Sequence, residues 1–324
     1  MRYRMLELLQ GGENRELPTE YLLSRIRGRR AHLISDWGSL IVSNAPFDYL
    51  TSPRYMGFVT EKSPEGLWRD LMKEFRWVYF QMNSILLEIF RPFFLYSELR
   101  TLFMCLRFIR ERKALRITDI LAVSILSDKI KKILRESTDV TSAVKEISEI
   151  FTSMSVILTV PEKMDAEGQG RFEQQLTNKY LVSIITAGLH PVMLGFFIRI
   201  IDARNIISLF KYIKLKTKAA PPFIPCGNIS QAVFTELLRK KDMTYVDGLV
   251  RKLTGIRLED VGVHVENSLY RHITAYLKRA GREPLGIGPV LEYLWRCSTE
   301  TMNLSILFHG REIEREIISA ELIS

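Results

Sequence analysis

Three short steps in the sequence pair an acid with a polar residue three positions on: Glu98 with Thr101, Asp202 with Asn205, and Glu300 with Asn303. Residues three apart share one face of a helix. Each step interrupts an otherwise apolar run, "YSELRTLFMC", "IDARNIISLF" and "TETMNLSILF". Burying such groups unpaired would cost on the order of 2 kcal/mol or more. Buried polar groups are usually satisfied locally, which predicts a bond to an adjacent helix. The sharper alternative turns each step towards an axis or a neighbouring unit. Neither reading requires catalysis, and no acid has a sequence context that singles it out as a proton donor or acceptor.

Other chemistries lack their residues. No GxxxxGK[ST] loop is present, and "GREPLGIGPV" lacks the lysine that would hold phosphate, so it reads as a helix–helix turn. His32, His190, His264, His272 and His309 form no HExxH or other tight ligand spacing. His264 and His272 lie two helical turns apart without a third ligand nearby. No GxSxG occurs. Cys105, Cys226 and Cys297 make no CxxC pair, which argues against a zinc ribbon or a disulfide framework and fits a reducing compartment. The sequence therefore predicts no catalytic residue, no cofactor and no metal site.

Cations cluster in three places. "SRIRGRR" carries Arg25, Arg27, Arg29 and Arg30. "RFIRERKALR" carries Arg107, Arg110, Arg112, Lys113 and Arg116. "KYIKLKTK" carries Lys211, Lys214, Lys216 and Lys218. The last two follow a polar step, where the helix macrodipole favours cations. The functional alternative is contact with phosphates or with an acidic protein rim. After the third step comes a mixed run instead, with Arg311, Glu312, Glu314, Arg315 and Glu316.

The elements that position these groups read as helices throughout. The chain has 324 residues and a net charge of +9; 47% hydrophobic content places it among globular chains, and the charge points to an acidic partner. "PVMLGFFIRIIDARNIISLF" from Pro191 and "PVLEYLWRCSTETMNLSILF" from Pro289 share Pro-Val, an acid eleven residues on, an Asn three later, and a final Leu-Phe. The acids of the three steps are 104 and 98 residues apart. "SDWGSLI", "TDVTSAV" and "KDMTYVDGLV" each read as a polar N-cap opening a short helix. "LWRDLMKEFRWVYFQM", "RFEQQLTNKYLVSII" and "VENSLYRHITAYLKRA" each read as a longer one. The expected class is all-α, with units at 1–113 (including an N-terminal extension), 114–216 and 217–324. The first copy is degenerate, with Pro92 only six residues before Glu98 and Thr101 in place of Asn. Tyr180–Ile198 carries no formal charge and imitates a membrane span of about 20 residues. Gly188 and Pro191 split it into two buried helices, so no span is expected. The opening residues lack the apolar stretch of a signal peptide.

Several of these segments carry a resemblance. "EYLLSRIRGRRAHLIS" resembles the opening helix of the C-type stalk subunit of archaeal and bacterial A/V-type rotary ATPases, and of its d-type counterpart in the vacuolar proton-pumping ATPase. "PPFIPCGNIS" resembles the linker opening that family's third unit, and "IDARNIISLFKYIKLK" its acid-x-x-Asn helix with a basic tail. "REPLGIGPVLEYLWRCSTETMNLSILFHGRE" resembles its C-terminal signature. The departures are Thr101 and the segment "SLIVSNAPFDYL". The resemblance implies three similar helical units in a pseudo-threefold funnel. It implies a non-catalytic central-stalk subunit on the cytoplasmic face of the membrane. Its partners would be the c-type proteolipid ring and the central shaft, with one copy in a hetero-oligomeric complex and no nucleic acid. The basic clusters, chiefly Arg25, Arg27, Arg29, Arg30, Arg107, Arg110, Lys211 and Lys214, are then candidate interface residues. The competing reading is a helical-repeat adaptor binding RNA or anionic lipid through the same cations.

Overall fold

Three aspartates start helices where the sequence places them. Asp36 accepts the Ser39 N–H, Asp139 those of Thr141 and Ser142, and Asp242 that of Thr244. Each satisfies donors that a helix N-terminus leaves without a partner. The computed structural model describes residues 8–12, 17–43, 47, 50, 52–153, 155–217, 219–255, 265–310 and 314–323. His264, Lys218, Arg311 and Glu312 lie outside the described residues, as does part of the 39–50 segment.

The protein is all-α. In chain order the helices are α1 (Thr19–Arg30), α2 (Trp37–Val42), α3 (Met56–Glu61), α4 (Pro64–Gln81), α5 (Ser84–Arg110), α6 (Ala114–Val123), α7 (Asp128–Glu136) and α8 (Val140–Thr152). There follow α9 (Ala166–Thr186), α10 (Pro191–Leu215), α11 (Gln231–Lys240), α12 (Met243–Thr254), α13 (Val265–Ala280), α14 (Gly288–His309) and α15 (Arg315–Glu321). The only β pairing among the described residues is an isolated bridge between Leu9 and Leu126. No helix of the described residues is long and apolar enough to cross a membrane. The 180–198 segment divides as its breakers require: α9 ends before Gly188, whose φ of +79° suits glycine, and α10 begins at Pro191.

The chain forms two compact units, one of Met1–Leu22 with Met72–Met193, the other of Leu23–Leu71 with Leu194–Ser324. In the first, α5 is the central helix. Phe93 and Phe94 of α5 meet Phe75 of α4, and Tyr79 meets Phe94 edge-on. Pro92 sits inside α5, unlike Pro191 and Pro289, which lie in the first turns of their helices. That is why the first copy looks degenerate: α5 begins at Ser84, two turns before its proline, and is capped there by Asn83 accepting the Leu86 N–H. The Pro92 carbonyl accepts the buried Tyr180 hydroxyl of α9 at 2.9 Å.

In the second unit, Phe47, Phe58 and Phe308 form an aromatic triangle. Leu40, Leu50, Tyr55, Leu67, Leu304, Leu307, Ile318 and Leu322 complete that core. The segment "SLIVSNAPFDYL" thus contributes core residues at Leu40, Phe47 and Leu50. In a second cluster Phe196 of α10 and Tyr270 of α13 meet Trp295 of α14 edge-on, and the Trp295 indole donates to the Thr274 hydroxyl at 2.8 Å.

Candidate functional site

All six residues of the polar steps are buried on long helices, at Glu98 and Thr101 of α5, Asp202 and Asn205 of α10, and Glu300 and Asn303 of α14. Their partners are chiefly backbone groups of extended segments rather than side chains of an adjacent helix. This corrects the expectation of a helix–helix bond. It has a plain cause: a coil segment running past a buried helix brings peptide groups that need partners as much as the step does.

The acids share one task. Glu98 accepts the Ile125 N–H at 2.5 Å and the Ser124 hydroxyl at 2.9 Å. Asp202 accepts the N–H groups of Asn228 at 3.1 Å and Ile229 at 3.2 Å. Glu300 accepts the Ile34 N–H at 2.7 Å and the Tyr55 hydroxyl at 2.6 Å. Each carboxylate therefore holds an isoleucine peptide one or two residues before a helix N-cap: Ser127 of α7, Ser230 of α11 and Asp36 of α2. Burial pushes all three carboxyls above their ordinary range, against the pull of the N–H donors. Nearby cations oppose burial as well: Lys131 at Glu98, Arg199 at Asp202, and Arg54, 3.1 Å from Glu300.

The asparagines add a second clamp. Asn205 donates Nδ2 to the Ile224 carbonyl and accepts the Ile224 N–H, both at 2.8 Å. Asn303 does the same for Ile323, at 2.9 and 2.8 Å. Thr101 instead gives its hydroxyl to Glu98. The matching segment there is α6, whose peptide groups bond within their own helix, so an amide clamp has nothing to hold. In the 219–230 linker the clamp and the acid act together. Gly227 passes so close to Asp202 that a Cβ would lie 2.2 Å from its Oδ1.

Most of the candidate cations are anchored within their own unit. Arg30 bonds the Pro289 carbonyl and the buried Glu292, and Arg27 reaches the Pro284 carbonyl at 3.2 Å. Arg107 forks onto Glu173, its Nε at 3.1 Å, and Arg110 donates to Gln169 at 2.7 Å. Lys211 lies 3.8 Å from Glu266, whereas Lys214 sits over its own Phe210 ring at 5.2 Å. Arg25 and Arg29 also have partners. Sequence reasoning missed Arg54, Tyr55 and Lys131. "SPRYMG" carries no pattern that ties it to a helix 245 residues away. Lys131 is buried at 4% exposure because it donates to the Ser124 carbonyl at 2.6 Å.

The described residues contain no group of three His, Cys, Asp or Glu side chains placed to hold a metal ion. In the polar steps, carboxylates and amides fasten chain segments. A comparison with curated proteins finds no match. The family model for the ATP synthase (C/AC39) subunit matches residues 23–321. All-helical, with its polar steps used as fasteners, the chain belongs to this family of V/A-type ATP synthase subunits.

Proposed function

We propose that the chain is the non-catalytic central-stalk socket of a V/A-type rotary ATPase. It receives the foot of the rotor shaft, rests on the c-type proteolipid ring at the cytoplasmic face, and passes torque between them during proton or sodium transport. Family membership over 23–321 carries this reading. The fasteners suit it. A part that transmits torque must resist sliding between successive segments, and buried bonds to backbone groups supply that resistance.

The same bonds support three units at 1–113, 114–216 and 217–324. Glu98 of the first unit holds Ile125 of the second, Asp202 of the second holds Ile229 of the third, and Glu300 of the third holds Ile34 of the first. The order is cyclic along the chain. Each acid grips the segment that opens another unit. Among the cations, the exposed Arg25 and Arg27 remain candidates for contact with partner proteins.

The test is reconstitution. Membranes carrying the rotary complex are stripped of this chain, and retention of the soluble motor is measured before and after the purified chain is returned. The reading predicts release of the motor on removal and recapture on return. Full retention without the chain would overturn it.

A further inference from the structure

The end of α10 and the α11–α12 turn form one basic surface, entirely within the second compact unit. Lys241 places its Nζ 5.8 Å from the centre of the Tyr212 ring, which brings the turn beside the helix end. Lys240 lies over Tyr245 at 4.1 Å. Two side chains project among these cations, Leu215 at 67% exposure and Tyr245 at 47%.

The nearby acids are already engaged. Glu266 faces Lys211, Glu236 faces Lys240, and Asp242 caps α12. Lys214, Lys216 and Lys241 are exposed, and no carboxylate faces them among the described residues.

We propose that this surface docks on an anionic lipid membrane, with Leu215 and Tyr245 at the headgroup level and Lys214, Lys216 and Lys241 against lipid phosphates. Lysines on flexible stems reach charge while their stems lie along apolar surface. Exposed apolar side chains flanked by lysines match interfacial binding, where apolar burial and attraction to anionic lipid add. A nucleic-acid backbone would offer the exposed Leu215 no apolar partner, whereas the headgroup–acyl boundary does.

The purified full chain is floated with vesicles of phosphatidylcholine alone, or of phosphatidylcholine mixed with phosphatidylglycerol, across a salt series. Binding is expected only to the mixed vesicles, falling as salt rises. Lys214→Ala with Lys216→Ala should weaken it roughly fivefold per lysine. Leu215→Ser should weaken it severalfold at unchanged salt dependence. All three positions are exposed, and a circular dichroism melt confirms that the variants fold. Absence of flotation at low salt, equal binding to neutral vesicles, or wild-type binding by the double lysine variant would each overturn the proposal. Capture on polyglutamate beads or RNA without vesicle binding would do the same and assign the patch to an acidic protein or a nucleic acid. The assay contains no ATPase, so its failure leaves the socket reading untouched.

Discussion

Asn205 and Ile224 exchange two hydrogen bonds of 2.8 Å, side-chain amide to peptide, across 19 residues of chain. Asn303 and Ile323 repeat the exchange across 20. A side-chain amide both donates and accepts in the plane of a peptide group. Leucine at either position should orphan a buried N–H and a buried C=O, at roughly 1–3 kcal/mol for each group. Urea unfolding of Asn205→Leu and Asn303→Leu measures this. Aspartate at the same sites keeps an acceptor and loses the donor, so it should also destabilise.

Gly227 is predicted to be fixed by contact rather than by backbone angle. Alanine would set its Cβ 2.2 Å from Asp202 Oδ1, so Gly227→Ala should destabilise by about 1–3 kcal/mol, as overpacking does. Removing the carboxylate makes room. In the Gly227→Ala, Asp202→Ala double-mutant cycle the combined loss should be smaller than the sum of the two. Additive losses would mean that the linker does not press on Asp202.

Much of this is legible in the sequence. The 3.6-residue periodicity of α4, α9 and α13 is plain, and the caps at Asp36, Asp139 and Asp242 follow from residue type. The polar steps are visible as positions that must find partners. Their partners are not, because the recognised groups are peptide N–H and C=O, which every residue but proline carries alike. Nor is the anchoring of Arg107 on Glu173 and Arg110 on Gln169, since a cation at a helix end reads the same whether paired or solvated. A threonine within a helix is expected to bond back to its own helix carbonyl. Thr101 also bonds to the buried Glu98 carboxylate beside it, a partner that residue type alone does not reveal.

The buried acids should leave a mark on the pH dependence of stability. Burial raises the Glu98 carboxyl above its unfolded value, so the folded state binds its proton more readily. Its contribution is fully present below the unfolded pKa, near about 4.3, and is lost as pH rises through the folded value. Stability of the wild type relative to Glu98→Gln should therefore rise as pH falls from neutral. Glutamine keeps an oxygen for the Ile125 N–H and does not titrate, so thermal melts of the pair across pH isolate the effect. A difference that shrinks on acidification would contradict the assignment.

The non-catalytic reading predicts no turnover when the purified chain is incubated with Mg-ATP, because no phosphate-binding loop is present in the sequence. Hydrolysis that co-purifies with the chain through successive columns would count against it.

The most direct measurement is ATP-driven ion uptake into vesicles carrying the rotary complex, assayed with and without this chain. A socket between shaft and ring predicts that removal abolishes uptake while the soluble motor still hydrolyses ATP, and that the purified chain restores coupling at a single copy per complex. Uptake that persists in its absence would contradict the account.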